Sequence, residues 1–163
     1  SIRMFESKKV VEKEMPILQW ATAHMDGIEA GMNLKGAEQI INETDRLARI
    51  FFKRVFLIRY AFTTDELVKE LEKQHISTVL RKAAELLFEE LAQVKYGGED
   101  IKKEEVKTIM DQMRVIAERI VNEVETKKKT KINISERDID KISETLQGAH
   151  TLGVNEAIKK MKK

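Results

Sequence analysis

The stretch Asp45-Arg-Leu-Ala-Arg-Ile-Phe-Phe-Lys-Arg-Val-Phe-Leu-Ile-Arg-Tyr-Ala-Phe62 is at once the most apolar and the most basic part of the chain. It holds four of the six phenylalanines, one of the two tyrosines, and five positive charges against one negative. Wound as a helix, Leu47, Phe51, Val55, Ile58 and Phe62 fall three or four residues apart and share one face. Arg46, Arg49 and Lys53 share the opposite face, with Arg54 and Arg59 beside the apolar stripe. The spacing predicts a central core helix from about Leu34 or Ala37 to Ala61, its stripe begun by Ala37, Ile40, Ile41 and Thr44. The basic side of that helix needs a counter-charge, inside the molecule or outside it.

The surroundings point the same way. Of 163 residues 42% are hydrophobic and 36% charged, with only seven Gly and one Pro, so helix formers abound and breakers are scarce. Upstream, Ser7 is placed to cap a first helix in which Val11, Leu18, Met25 and Met32 recur by seven. Pro16 interrupts that pattern, as a kink or as the start of a fresh helix. Downstream, Thr63-Thr-Asp-Glu66 has the form of a capping box that opens the next helix almost without a loop. Its stripe is Leu67, Leu71, Val79, Ala83, Leu87 and Leu91, and Gln74-His75-Ile76-Ser77 interrupts it. The sequence reads either as one helix from Thr64 to Tyr96 or as two with a turn near His75. Gly97-Gly98 ends that region, and Asp100 is placed to cap a helix from about Lys102 to Thr126 with Val106, Ile109, Met113, Ile116, Ile120 and Val124 as its stripe. Lys127-Lys-Lys-Thr-Lys131 reads as a charged linker, and Ser135-Glu-Arg-Asp138 as a second capping box opening a short helix.

The expected fold is therefore all-α: an antiparallel bundle of about four long helices over residues 1–126, then a lysine-rich linker and a short helical pair over 127–163. No apolar run reaches membrane-spanning length and no signal-peptide pattern is present, so the expected setting is cytoplasmic, with no membrane partner. Cysteine is absent, which excludes disulfides, thiolate metal sites, iron–sulfur clusters and cysteine nucleophiles. Abundant Lys and Glu without Cys lean towards a thermophilic source.

Net charge is only +2, but it alternates along the chain. Residues 44–62 carry five Lys/Arg against one acid, 63–126 carry ten against fifteen, and 127–163 carry ten against five. Either the basic helix faces acidic helices inside the bundle or it meets an external anion. The leading expectation is a non-enzymatic binding or assembly protein without a cofactor, contacting DNA or RNA backbone through Arg46, Arg49, Lys53, Arg54 and the run Lys127, Lys128, Lys129. Long helices with wide stripes also suit a protein partner or a homodimer.

A second reading starts from Phe62–Leu71 as one helix, Glu72–Ile76 as a turn, and Ser77-Thr-Val-Leu-Arg-Lys82 opening another. The Ser-Thr-Val-x-Arg run resembles the start of the recognition helix in helix-turn-helix regulators. That resemblance implies that Ser77, Thr78, Arg81 and Lys82 reach base edges and phosphates. Val94–Ile101, with its Gly-Gly pair, would then form a hairpin wing. A third reading takes Glu85, Glu89, Glu90 and Asp111, a pattern that resembles the acidic helices with which helical nucleotide pyrophosphatases hold magnesium. Here Thr108 stands where that pattern asks for Glu. A lone Glu72-Lys-Gln-His75 falls short of the paired motifs a di-iron bundle needs. Ala149-His-Thr-Leu-Gly153 is similar to a phosphorelay histidine motif without its lysine.

Overall fold

Pro16 settles the first ambiguity. It stands at the N-cap, and helix α1 runs Ile17–Ala30 behind it, so the proline starts a helix and kinks none. The computed structural model describes residues 15–97 and 100–152, the side chains of 132–136 and 145–152 excepted. The start of the helix expected from Ser7 therefore lies outside the described residues, as does the end of the expected C-terminal helical pair. After a 3-10 turn at Met32–Leu34 come α2 (Ala37–Phe56), α3 (Thr64–Lys73), α4 (Thr78–Tyr96) and α5 (Lys103–Leu152). No strand occurs among the described residues. The helices are unequal, from 10 residues in α3 to 50 in α5, where four rods of similar length were expected.

The chain divides into two units, Ser1–Asn122 and Glu123–Lys163. The core of the first is built on α2. Ile40, Ile41, Ala48, Phe51, Phe52 and Phe56 are buried on one side of it, against α1 and α4. Trp20, Ala21 and Met25 come from α1, Leu67 and Leu71 from α3, and Leu80, Leu87, Phe88 and Leu91 from α4. Val106, Ile109, Met110, Met113, Ala117, Ile120 and Val121 are the buried stripe of α5. Phe52 is the hub of an aromatic cluster: it meets Phe51 and Phe88 edge-on at 5.5 and 5.3 Å and stacks on Phe56 at 5.9 Å. Phe62 closes the cluster edge-on against Phe88 at 5.5 Å. Edge-on and offset pairs are the arrangements that suit the ring quadrupoles, adding about 0.5–1.5 kcal/mol per pair to the area buried.

The opening stretch is not one helix to Ala61. It stops at Phe56, because Leu57 adopts φ 56°, the left-handed region, and the Ile58 amide donates to the Lys53 carbonyl at 3.0 Å. This six-to-one bond is the Schellman helix ending, normally built on glycine. Ile58 and Phe62 are buried as expected, but from the connection that follows the helix. α3 ends the same way: His75 has φ 57° and the Ile76 amide donates to the Leu71 carbonyl at 3.0 Å. The Gln74 side chain also donates to the Phe56 carbonyl at 2.9 Å, tying one turn to the other.

The capping box at Thr63 forms as read. Thr63 Oγ1 accepts from the Glu66 amide at 3.2 Å, and Glu66 Oε1 accepts from the Thr63 amide at 3.0 Å. The other expected box, at Ser135–Asp138, does not start a helix. α5 passes without a break through 127–131 and 135–138, so the lysine run is helical and no linker separates two elements there. Lysine and threonine do not break helices, and a charge run that stays solvated has no reason to unwind.

Candidate nucleic-acid interface

The cations of the opening stretch divide by the side of α2 on which they stand. Arg49 turns inward. Its Nη1 donates to the Phe62 carbonyl at 2.8 Å, its Nε to Asp45 at 3.2 Å, and the guanidinium lies 5.4 Å from the Phe62 ring centre and 5.3 Å from that of Phe88. Asp45 is itself only 7% exposed and takes a second partner, Lys95 of α4, at 3.4 Å. Burial alone would lower the Lys95 pKa; the field of Asp45, with hydrogen bonds to Tyr96 and Asp45, outweighs it and leaves the ammonium above its ordinary value. Arg49 is thus engaged within the fold, by Asp45 one turn before it and by the Phe62 carbonyl, while it stays one turn from Lys53 on α2.

Arg46 and Lys53 stand on the outward side. Arg46 is exposed and Lys53 half-buried, and neither makes an ion pair or hydrogen bond with any described residue. Seven residues apart, they lie about 10 Å apart along the axis on one face. Arg54 is exposed but laid over the Trp20 ring at 4.3 Å. Beside Arg46 opens a cavity of about 320 Å³ between α1 and α2, lined by Trp20, His24, Ile28, Glu43, Leu47 and Ile50. Trp20 and His24 pack ring to ring at 4.4 Å, and His24 Nδ1 lies 2.9 Å from the Trp20 carbonyl oxygen. Glu43, which lines the same cavity, is engaged through Oε1 by Lys35 at 2.8 Å.

The second set of expected contacts lies at the start of α4. The chain between Lys73 and Thr78 does break, into a four-residue turn of Gln74–Ser77 with left-handed His75, where the expected turn was Glu72–Ile76. Ser77 caps α4 by accepting from the Leu80 amide at 3.4 Å. Ser77, Thr78, Val79 and Lys82 are exposed. The charges are less open. Arg81 pairs with Glu72 at 3.1 Å and donates to Thr78 Oγ1 at 3.1 Å, and Lys82 lies 3.6 Å from Glu85. The wing is corrected: Val94, Lys95 and Tyr96 continue α4, held there by buried Leu91 and the Lys95–Asp45 pair. Gly97 then ends the helix, where an added Cβ would come within 2.5 Å of the Gln93 carbonyl oxygen.

In the second unit Lys127 pairs with Glu123 at 3.9 Å, while Lys128 and Lys129 are exposed. The acidic pattern is scattered. Glu85 is held by Lys82, Glu89 is exposed, and Glu90 and Asp111 stand on opposite walls of an apolar groove of about 470 Å³ with Leu86, Leu87, Val115 and Ile116. Among the described residues no three of His, Asp or Glu gather as a group able to hold a metal ion. Sequence spacing missed two features: Arg114 of α5, which pairs with Asp26 at 2.8 Å and Glu29 at 3.2 Å of α1, and the α1–α2 cavity. Both depend on how helices distant in sequence meet, which periodicity within one helix does not carry. No described helix is long and apolar enough to cross a membrane. No family model, curated protein or solved structure matches the chain.

Proposed function

We propose that the chain is a non-enzymatic binding protein, an α-helical bundle that contacts a nucleic-acid backbone through the outward face of α2. One observation carries the reading. Arg46 and Lys53 have no acidic partner among the described residues, whereas Arg49, Arg81, Lys82, Lys95 and Arg114 each have one. A cation already paired with a carboxylate gains little from phosphate; an open one gains the counterion release that drives backbone binding. The roughly 10 Å between Arg46 and Lys53 corresponds to about three nucleotide rises along one strand.

The test is binding to unrelated duplex DNA and single-stranded RNA across a salt series, followed by fluorescence anisotropy. The expected result is affinity that falls with salt and ignores sequence. Arg46→Ala with Lys53→Ala should flatten the dependence of log K on log salt by about one unit for each phosphate contact removed. No detectable binding at low salt would refute the reading.

The left-handed His75 turn favours a second one: reading of duplex DNA by Thr78, Val79 and Lys82 at the start of α4. Its weakness is charge, since residues 64–96 carry five Lys/Arg against seven Asp/Glu. Thr78→Ala and Val79→Ala separate the two readings. They should leave backbone binding through α2 unchanged but alter sequence preference if α4 enters the groove.

A further inference from the structure

We propose that the cavity between α1 and α2 takes one unpaired base of the strand whose phosphates lie along α2, so that the ligand is single-stranded nucleic acid. This rests on the backbone reading of Arg46 and Lys53 and names its substrate class. The cavity holds about 320 Å³, at the lower end of the range for small-ligand sites, and Trp20, Ile28, Leu47 and Ile50 give it apolar walls. Arg46 lines it and is also exposed on the outward face, so one nucleotide can put its base inside while its phosphate meets Arg46.

The polar atoms of the lining select the occupant. Trp20 is 4% exposed, and its indole Nε1 is buried without a hydrogen-bond partner among the described residues. Glu43 gives Oε1 to Lys35 at 2.8 Å, and its Oε2 is likewise buried and unpartnered. The indole N–H can only donate and the carboxylate oxygen can only accept, so the pair lacks one acceptor and one donor. Burying both without partners is costly until a ligand supplies them. The terminal torsion of a glutamate is broad, so a small turn brings Oε2 to the cavity. His24 adds an exposed planar ring, packed on Trp20 at 4.4 Å and fixed by the 2.9 Å contact of Nδ1 with the Trp20 carbonyl oxygen. A flat heterocycle stacks on such a ring. A nucleobase is flat, and its edge carries both a donor and an acceptor. All the common bases do, so entry needs no particular sequence. An acyl chain would fill the apolar walls but pair with neither atom. In a duplex the base edges are taken by the opposite strand and the faces by neighbouring bases, which bars a paired base.

Fluorescence anisotropy of the full chain tests this with a short labelled single strand and the same strand made abasic, which keeps every phosphate and loses every base. The intact strand should bind about fivefold or more tighter, the low end of what one stacked base contributes. A strand with a single 2-aminopurine among abasic sites should bind like the intact one, and its emission should fall on binding. Ribose and deoxyribose strands, run side by side, separate RNA from DNA as the source. Ile28→Phe, which fills a half-buried wall, and His24→Ala, at an exposed position, should each bring the ratio of intact to abasic affinity towards one. That ratio cancels the phosphate contacts, and a variant that fails to fold would lose the abasic strand as well. Equal binding of intact and abasic strands, unchanged 2-aminopurine emission, or displacement by free adenosine monophosphate at the strand's own concentration would overturn the proposal and leave the backbone reading standing. No binding of either strand at low salt would overturn both.

Discussion

The two sides of α2 put the same side-chain chemistry to opposite uses. On the inner side Arg49 lies against two phenylalanine rings, shares Asp45 with Lys95 and holds the Phe62 carbonyl. On the outer side, one turn away, Arg46 touches no carboxylate. Two arginines three positions apart therefore differ in everything except charge. An arginine becomes structural when helical phase brings it to the border of the core, where carbonyls and ring faces need a cation. It stays available for a partner when phase turns it to water.

Substitution can break that distinction, and the largest expected effect is at Arg49. Arg49→Met keeps the length and apolar stem but leaves Asp45 with one cation and the Phe62 carbonyl without its donor. It should lower unfolding stability by about 2 kcal/mol, discounted for the partial exposure of the side chain. Arg46→Met, measured in the same urea melts, should stay within about 0.5 kcal/mol of the parent. Equal effects would erase the difference between the two sides. Next comes Leu57, which is 82% exposed at the end of the outer side and held at φ 56°. Leu57→Gly removes left-handed strain and little packing, so stability should rise by up to about 1 kcal/mol. A loss would mean that the exposed side chain does unseen work.

The smallest effect is with pH, and its sign follows from Lys95. A pKa raised on folding adds stability below the ordinary lysine value of about 10.4, and that stability is lost as pH rises through the raised value. Comparing the parent with Asp45→Asn in thermal melts from pH 8 to 12 should show the gap between them narrowing above about pH 10.4. Tyr60 also has a pKa above its ordinary value, raised by burial first and then by the hydrogen bond and charge of Glu70. It keeps that partner in both proteins, so its loss cancels in the comparison.

How much of this could be read from the sequence depends on the range of the interaction. The Thr63 box was legible because caps are built from residues three apart; the break before Thr78 was one of two readings left open, since Ser77 could cap a new helix or ride within a longer one. The buried stripe of α5 was nearly legible: Val106, Ile109, Met113 and Ile120 are buried, and Met110, Ala117 and Val121 complete it in place of Ile116 and Val124. The left-handed exits at Leu57 and His75 were not legible, because neither residue is glycine and the turns are held by backbone hydrogen bonds, the Gln74 tie and the burial of Ile58 and Ile76 behind them. The length of α5 was missed for the opposite reason. Ser135-Glu-Arg-Asp138 carries a cap pattern that only a prior chain break would put to use. At the candidate interface, the identity of the cations was visible but their division was not, since Arg49 is claimed by Phe62 and Phe88 from elsewhere in the chain.

Trp20 gives the molecule a built-in optical probe. It is the sole indole of the chain, 4% exposed, held between His24 and the Arg54 guanidinium where α1 meets α2. Its emission belongs to one seam of the fold and to no other. A red shift marks the parting of α1 from α2, and a ligand entering the neighbouring cavity changes the intensity without that shift. Unfolding of the seam and occupancy beside Arg46 can thus be followed separately, on the unlabelled protein.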